Sequence, residues 1–152
     1  MRVEEIEAEA THDLRWRVLR NRRAGATVVF PEDALPGAFH LAVRDVDEVG
    51  IGSGAIVAVA SFSLEETPYR PGRPAVHLRG MAVDGPSQHH GLGRLLITTV
   101  VERLRGEGAA VLWCNARDTA AGFYTRQGFE VMGEGFVLPE SGFAHHVMLR
   151  DL

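Results

Sequence analysis

The hydrophobic pattern of residues 75–106 changes its period abruptly, and this change constrains the fold more than any other feature of the chain. Residues 75–83 are mostly apolar, as in a buried strand, and Asp84-Gly85-Pro86-Ser87 is a turn signal that ends them. From Gly91 onward the apolar positions follow helical spacing, until Gly106 ends the helix. The sequence therefore predicts a strand, a tight turn and a helix in direct succession.

The rest of the chain alternates between strand-like and helix-like patterns. Helices are predicted at about 11–23, where Thr11 favours the first turn and Gly25 ends the helix, and at 118–126. Further strands are predicted at 2–7, 39–44, 55–64, 109–114, 129–134 and 143–149. This order indicates an α/β (α+β) fold with a mixed sheet flanked by helices. Because 152 residues suit one packed core, we expect a single domain over 1–152.

The basic residues are unusual, because all sixteen are arginine and none is lysine. This excludes a Walker A lysine, a Schiff-base lysine and a lysine nucleophile, since each needs a primary amine on a flexible stem. A net charge of −4 makes nucleic acid a poor partner. The N-terminus lacks the apolar segment of a signal peptide, and no run is long enough to span a membrane. We therefore expect a cytoplasmic protein without a membrane partner.

Two further kinds of chemistry are disfavoured by the residues present. The single cysteine, Cys114, cannot form an internal disulfide and lies in an apolar strand pattern with no base nearby in sequence. We interpret it as a buried thiol, not a nucleophile. The adjacent His89 and His90 lie in a turn without a carboxylate partner, which makes a poor chelate, so no metal site is expected.

The turn before the long helix reads Gln88-His89-His90-Gly91-Leu92-Gly93-Arg94. Two glycines one residue apart let backbone N–H groups approach a ligand closely, and the positive end of a helix favours a phosphate or pyrophosphate. The turn is therefore a candidate anion site that Arg94 can assist. It is not a Rossmann fingerprint, because the third glycine is missing, and it is not a Walker A loop.

This turn resembles the acyl-CoA-binding signature of the GNAT acetyltransferases, which is Gln or Arg, two residues, Gly, one residue, then Gly or Ala. Gln88, Gly91 and Gly93 match it, and the strand before it ends Met81-Ala82-Val83 as the family usually has it. A second block is similar to the family's second motif and comprises Asn115 to Ala120, Phe123, Tyr124, Gly128 and Phe129. Arg117 stands where that motif commonly has asparagine.

The end of the chain resembles a bacterial subgroup of this family. In that subgroup the last strand begins Gly-Ile-Pro-His, and here Gly142-Phe143-Ala144-His145 occupies the place. Phe143 and Ala144 thus replace the usual Ile and Pro. The subgroup is the part of the family to which the sequence is most similar.

The resemblance implies a single GNAT-like domain, with a mostly antiparallel sheet and a cleft between two splayed central strands, that uses acetyl-CoA. In the family, the strand equivalent to 81–83 pairs through its backbone with the pantetheine arm, and the amides of the turn hold the pyrophosphate. The residues that the resemblance assigns to acetyl-CoA are Met81, Ala82, Val83, Gln88, His89, His90, Gly91, Gly93, Arg94 and Asn115. A plain strand, turn and helix without a ligand is the alternative.

The resemblance also assigns catalytic roles. Tyr124 matches the family tyrosine that faces the CoA sulfur, where a phenol with a pKa of about 10 can protonate the departing thiolate. The alternative is that Phe123 and Tyr124 only anchor a helix.

The general base is not singled out by the sequence. The candidates are His145, Glu134, His77 and Asp84. Strand alternation places His145 and His146 on opposite faces, so at most one faces the site. His145 matches the subgroup motif and is the preferred base, with a structural, hydrogen-bonded histidine as the alternative.

The expected function is that of an N-acetyltransferase, which moves an acetyl group from acetyl-CoA to the primary amine of a small molecule or peptide by direct attack in a ternary complex. A non-catalytic acyl-CoA-binding regulatory module is the alternative, and a nucleotide-binding module that uses the same glycine turn is a third interpretation. The resemblance alone also implies a homodimer, because exposed closing strands in this fold often pair.

Charged segments outside the motifs are interpreted as solvent-exposed surface. The arginine-rich segment 15–23 is taken as a solvated helix face. Acidic residues in loops could attract a cationic substrate, although such loops are usually just solvated; these residues are Glu32, Asp33, Glu65 and Glu66.

Overall fold

The computed structural model describes residues 1–152, which form seven strands and three α-helices. The strands are β1 (Arg2–Ile6), β2 (Phe39–Arg44), β3 (Ile56–Leu64), β4 (Ala75–Val83), β5 (Val111–Arg117), β6 (Glu130–Val137) and β7 (Ala144–Asp151). The α-helices are α1 (His12–Leu14), α2 (Leu92–Gly106) and α3 (Ala121–Arg126). A π-helix spans Arg15–Leu19, and short 3-10 helices span Ala8–Thr11, Pro31–Ala34, Gly85–Ser87 and Asp118–Ala120.

The strands belong to one sheet with the order β1-β2-β3-β4-β5-β7-β6. β4 and β5 are parallel, whereas β1/β2, β2/β3, β5/β7 and β6/β7 are antiparallel pairs. The predicted mixed, mostly antiparallel sheet is therefore confirmed. The parallel ladder joins Ala75–Leu78 to Val111–Cys114, and both strands continue beyond it.

The chain divides into two compact units, of which the first comprises residues 1–63 and 80–100. Its core contains Leu14 of α1, Ala42 of β2, Val59 of β3 and Ala82 of β4. β3 is buried along almost its whole length, which explains its continuous apolar sequence.

The second unit comprises residues 64–79 and 101–152. Its core contains one residue from each of three neighbouring strands, namely Ala75, Val111 and Leu149. β5 runs to Arg117, three residues beyond the predicted end of the strand, because residues 115–117 pair with residues 145–147 of β7. Asn115 consequently lies inside a strand.

The N-terminal helix departs from the prediction of a regular helix over 11–23. It is α-helical only over His12–Leu14, widens into the π-helix and ends at Leu19. Arg20 N donates to Arg15 O at 3.0 Å, which is the hydrogen-bond spacing of a π-helix. Tertiary contacts of Arg15 and Trp16, described below, override the helical preference of the local sequence.

Among the helices of the structure, none combines the length and the apolar composition needed to cross a membrane.

Candidate functional site

The predicted anion site is built from the end of β4, a 3-10 helix and the start of α2. Asp84 N donates to Val57 O at 2.8 Å, and Ser87 N donates to Asp84 O at 2.8 Å, so the backbone turns immediately after the strand. Gln88 Nε2 donates to Val83 O at 3.0 Å. The side chain of Gln88 therefore braces the turn against the strand that precedes it.

The first amides of α2 have no acceptor within the helix. Leu95 N donates to Gly91 O at 3.0 Å, so the N–H groups of Leu92, Gly93 and Arg94 precede the first helical bond. Gly91 has a φ of +79°, a conformation that favours glycine, and no heavy atom lies within 4 Å of a Cβ built there. The backbone therefore requires this glycine even though the space around it is open.

The side chains around these amides are exposed. His89, His90 and Arg94 face solvent, and Leu92 is buried and anchors the helix start. His89 has a φ of +65°, which is uncommon for a residue with a side chain. Three free amides, the positive end of a fifteen-residue helix and an exposed arginine together suit a polyphosphate.

The side chains of strand segment 81–83 alternate in their burial. Ala82 is buried in the core of the first unit, whereas Met81 and Val83, which alternate with it, are only partly buried.

The turn is tied to the N-terminal helix by an ion pair. Arg17 Nη1 donates to Asp84 Oδ1 at 2.5 Å, and Arg17 Nε donates to Asp13 Oδ2 at 2.9 Å. Asp84, one of the candidate bases, is thus held by Arg17 where the turn begins.

Gly80 interrupts β4 directly before Met81 and is missing from the predicted site. Its φ is +62°, and a Cβ there would lie 2.9 Å from Phe30 Cε2 and 3.4 Å from Arg15 Nε. Both the backbone and the neighbouring ring require glycine. A glycine within an apolar strand pattern often marks a bulge or a close approach, and this signal was present in the sequence.

We expect the two glycines to differ in their response to alanine. Gly91→Ala meets only backbone strain, which costs about 1–2 kcal/mol. Gly80→Ala meets similar strain and also the ring of Phe30, so it should cost about 1–3 kcal/mol more. Urea unfolding of both variants measures the difference, and equal losses would show that Phe30 moves aside freely.

Arg15 does not lie on a solvated face, so that interpretation of segment 15–23 is wrong for this residue. Its side chain is fully buried. Arg15 Nη1 donates to Val28 O (2.8 Å) and Asp33 Oδ2 (2.7 Å), and Nη2 donates to Asp33 Oδ1 (2.9 Å) and Ser61 Oγ (2.8 Å). The guanidinium lies 3.8 Å from the ring centroid of Phe30, and Nε has no partner. These bonds offset the cost of burying the charge.

Two ionisable groups surround this arginine. Burial raises the pKa of Asp33, but the hydrogen bonds and charge of Arg15 outweigh it and hold that pKa below its usual value. Burial, together with the charge of Arg15, lowers the pKa of His40. His40 Nδ1 lies 2.7 Å from Ser61 Oγ, which also accepts a bond from Arg15. The hydroxyl of Ser61 therefore links Arg15 to His40.

In the second unit, Tyr124 of α3 is buried by aromatic neighbours. Its ring makes edge contacts with Phe123 and Phe129, at centroid distances of 5.0 and 5.3 Å. Burial and the adjoining Cys114 raise the pKa of Tyr124 well above its usual value, so the phenol is neutral and keeps its proton. Burial raises the pKa of Cys114 to about 12, and its hydrogen bond with Tyr124 opposes this. Cys114 is thus a buried thiol, as predicted.

The two histidines of β7 differ as strand alternation predicts. His145 is buried, its Nδ1 lies 2.7 Å from Phe143 O, and its ring stacks on Phe136. Nδ1 must donate to that carbonyl, so Nε2 of the neutral ring is left as a proton acceptor. His146 is more exposed, and its Nδ1 lies 2.7 Å from Asp118 Oδ1.

Glu134 lies in the irregular part of β6, where the register with β7 shifts between Met132 and Phe136. Its side chain is exposed and makes no hydrogen bond or ion pair. The structure gives this candidate base no orienting partner.

His77 belongs to a polar cluster that was not predicted from the sequence. Its Nδ1 lies 2.9 Å from Glu65 Oε2, its ring stacks on Trp113 at 3.7 Å, and Arg79 also donates to both carboxylate oxygens of Glu65. Burial, and to a lesser extent Arg79, lower the pKa of His77 to about 4, whereas Glu65 opposes this. Glu65 and Asp33 are thus occupied by internal cations and are not free to attract a substrate.

We expect acid to destabilise the protein through His77. In the folded protein the pKa of His77 is about 4, whereas in the unfolded chain it is 6.5. The unfolded chain therefore binds the proton more readily, and the free energy of unfolding falls as the pH drops from about 6.5 to about 4. The shift corresponds to about 3 kcal/mol. Urea unfolding across this range measures the loss, and His77→Gln should flatten the profile, because Gln keeps a donor for Glu65 without titrating. An unchanged slope in that variant would contradict the assignment.

No group of three or more His, Cys, Asp or Glu side chains in the structure is arranged to hold a metal ion.

Comparison with known proteins identifies relatives of the whole chain. Residues 7–129 match the model of the acetyltransferase (GNAT) family. The chain is 31% identical over 149 residues to a protein of Bacillus subtilis (strain 168) described as the uncharacterized N-acetyltransferase YitI, and the match covers 98% of this chain and 94% of that protein.

Two solved structures share the fold at low sequence identity. An acyl-CoA N-acyltransferase from Pseudomonas aeruginosa has a TM-score of 0.73 and 16% identity, and the match covers 99% of each chain. An aminoglycoside 6′-N-acetyltransferase complexed with coenzyme A has a TM-score of 0.72 and 10% identity, covering 99% of this chain and 97% of that one. Because the family model spans most of the chain and the Bacillus protein matches nearly all of it, the chain belongs to the GNAT family of acetyltransferases and is an acyl-CoA-dependent N-acyltransferase.

Proposed function

We propose that this protein, acting as one domain over 1–152, moves an acetyl group from acetyl-CoA to the primary amine of a small molecule or peptide. The amine attacks the thioester directly in a ternary complex, without a covalent enzyme intermediate. The observation that carries this proposal is the turn at 84–94, where free amides at the start of α2 follow directly on strand segment 81–83. One structure of the same fold, an aminoglycoside 6′-N-acetyltransferase, is complexed with coenzyme A.

The turn binds the pyrophosphate in this proposal. The amides of Leu92, Gly93 and Arg94 donate to its oxygens, Gly91 keeps the approach open, and the Arg94 guanidinium adds a charge-assisted bond. The exposed side chains of His89 and His90 are further hydrogen-bonding groups beside the pyrophosphate in this proposal. Gln88 acts indirectly, because its side chain already bonds Val83 O.

The strand segment binds the pantetheine arm through the backbone of Met81 and Val83. The Ala82 side chain packs in the core and holds the segment in place. We assign Asn115, which lies partly buried in β5, a further contact to the same arm.

Tyr124 is the proposed general acid. When the amine has attacked and the carbon–sulfur bond breaks, the thiolate needs a proton, and a neutral buried phenol is a donor. A backbone N–H of β4 is the proposed donor to the oxyanion.

His145 is the proposed general base, which takes a proton from the substrate ammonium directly or through water. Its Nδ1 bond to Phe143 O fixes the tautomer in which Nε2 accepts. Glu134 is the weaker candidate, because nothing in the structure orients it. We test the pair with His145→Gln and Glu134→Gln, and the variant that removes the acidic limb of the kcat/KM pH profile identifies the base.

Thermal unfolding with acetyl-CoA, CoA, ATP and NAD tests the binding half of the proposal. A ligand at about 100 times its Kd adds about 2.7 kcal/mol to stability. Selective stabilisation by acetyl-CoA and CoA supports the proposal, whereas no shift with either would overturn it and stabilisation by ATP or NAD alone would favour a nucleotide-binding module.

A non-catalytic acyl-CoA-binding module is the second candidate. The observation that favours it is the burial of Tyr124 against Cys114, Phe123 and Phe129, which a purely structural tyrosine would also show. This candidate requires CoA binding without acetyl transfer to any amine.

We also propose a cytoplasmic homodimer. β6 is an edge strand, and Val131 and Val137 on it are exposed, as is Phe143 beside β7. Sedimentation velocity tests this assembly, and a monomer at micromolar concentration would contradict it.

A further inference from the structure

The loop after the π-helix carries two arginines without a protein partner. The guanidinium groups of Arg22 and Arg23 are exposed and make no hydrogen bond or ion pair, and Arg22 lies only loosely over the ring of Trp16, at 6.0 Å. Two earlier arginines already form ion pairs within the protein. Arg15 pairs with Asp33, and Arg17 pairs with Asp13 and Asp84. Unsatisfied positive charge is therefore concentrated in this loop.

The backbone of this loop is held in an uncommon shape. Asn21 and Arg22 have φ values of +49° and +56°, which residues with side chains rarely adopt in succession. Arg22 N donates to Trp16 O (2.9 Å), and Trp16 Nε1 donates to Arg23 O (3.0 Å). Arg20 Nε donates to Thr27 O at 3.0 Å. Such a backbone conformation persists only where surrounding contacts fix it. The side chains of Arg22 and Arg23 are therefore attached to an ordered backbone.

Contacts connect this loop to the strand segment assigned to the pantetheine arm. Arg20 lies over the ring of Phe30, 5.7 Å from the centroid. The Phe30 ring packs against Gly80, the residue before Met81. The loop that carries Arg22 and Arg23 is thus linked, through Arg20 and Phe30, to the residue that precedes Met81.

The charges available in this region favour an anionic ligand over a purely cationic one. Asp33 is occupied by Arg15, so its carboxylate is already neutralised. Arginine binds carboxylates and phosphates through paired, charge-assisted hydrogen bonds. We propose that the acceptor amine carries an anionic group, a carboxylate or a phosphate ester, which binds to Arg22 and Arg23. This inference rests on the proposed acetyl transfer and narrows its substrate class.

Matched acceptors test the inference. Acetyl transfer is measured with O-phosphoethanolamine against ethanolamine and with β-alanine against β-alaninamide, so that each pair differs only in the anionic group. We expect the anionic member of at least one pair to have a KM about tenfold lower, and Arg22→Gln/Arg23→Gln to raise that KM about tenfold. The pair affected distinguishes a phosphate from a carboxylate.

The control variant is Arg105→Gln/Arg126→Gln, which removes the same charge from two exposed arginines elsewhere. It should leave all KM values within about twofold, and Arg22→Lys/Arg23→Lys should restore part of the affinity. The KM for acetyl-CoA should stay unchanged in every variant. A rise in that KM, or an equal rise for both members of a pair, overturns the inference while leaving acetyl transfer intact.

A binding measurement covers the case in which these amines are not turned over. Thermal unfolding of the CoA complex with each acceptor should show stabilisation by the anionic member alone, lost in Arg22→Gln/Arg23→Gln. No stabilisation by any anionic amine counts against the inference, and stabilisation by an RNA oligonucleotide alone would assign the loop to another ligand. Failure of the proposed function is distinct, because the protein would then either fail to bind CoA or bind it without transferring acetyl to any amine, whether or not Arg22 and Arg23 are replaced.

Discussion

Replacement of Tyr124 by phenylalanine is expected to lower kcat for acetyl transfer about 10²- to 10⁴-fold, which is the usual contribution of a general acid. The ring stays in place against Phe123 and Phe129, so packing is kept and only the proton donor is lost. Loss of the hydrogen bond to Cys114 should cost about 1 kcal/mol of stability. The KM for acetyl-CoA should change little, because the pyrophosphate and pantetheine contacts assigned above do not involve the phenol.

Tyr69→Phe is the matched control, since the protein has two tyrosines and Tyr69 lies outside the proposed machinery. It should retain the wild-type kcat. Cys114→Ala separates the remaining possibilities, because it removes the same hydrogen bond and keeps the phenol. If Cys114→Ala loses as much kcat as Tyr124→Phe, Tyr124 acts through its packing and the role of general acid is wrong.

Replacement of Arg15 by methionine should be the most destabilising change, at about 3–5 kcal/mol. Methionine fills much of the space, but it leaves the carboxylate of Asp33 without its two guanidinium bonds. The side chain of Asp33 is only 10% exposed, so water cannot replace those bonds fully. Urea unfolding at pH 7 measures the loss.

The same substitution two residues further on is the control. Arg17 is 21% exposed, and its partners Asp13 and Asp84 are 72% and 25% exposed. Water can therefore replace its bonds more fully than those of Arg15, so Arg17→Met should cost less, at about 1 kcal/mol. Arg15→Met/Asp33→Asn should recover part of the loss, because the stranded charge is removed. Equal losses for the two methionine variants would mean that the Arg15 network is not a buried ion pair in solution.

The sequence predicted the strands well where their residues alternate or form apolar runs. β3 and β4 were located to within about one residue, since burial on both faces leaves a continuous apolar pattern. Strand ends were less accurate. β5 continues to Arg117 because β7 pairs with residues 115–117, and no local pattern encodes a partner 28 residues or more away.

Part of the candidate site could likewise be predicted from local sequence, and part could not. The turn from Gln88 to Arg94 could be read locally, because the positions of the glycines and the start of a helix depend on neighbouring residues. The roles of Tyr124 and His145 came from resemblance, and they stay predictions. The structure adds their partners, Cys114 and the Phe143 carbonyl, which bear on their protonation.

The arginines show what only the tertiary structure decided. Arg15, Arg17 and Arg22 look alike in sequence, yet one is buried with Asp33, one bridges Asp13 and Asp84, and one is free. The sequence by itself determined the elements, the strand-turn-helix and the absence of lysine chemistry, because these depend on composition and on short-range periodicity. Which charges are paired, and therefore which remain to bind a substrate, depends on contacts between distant segments, as between Arg15 and Ser61.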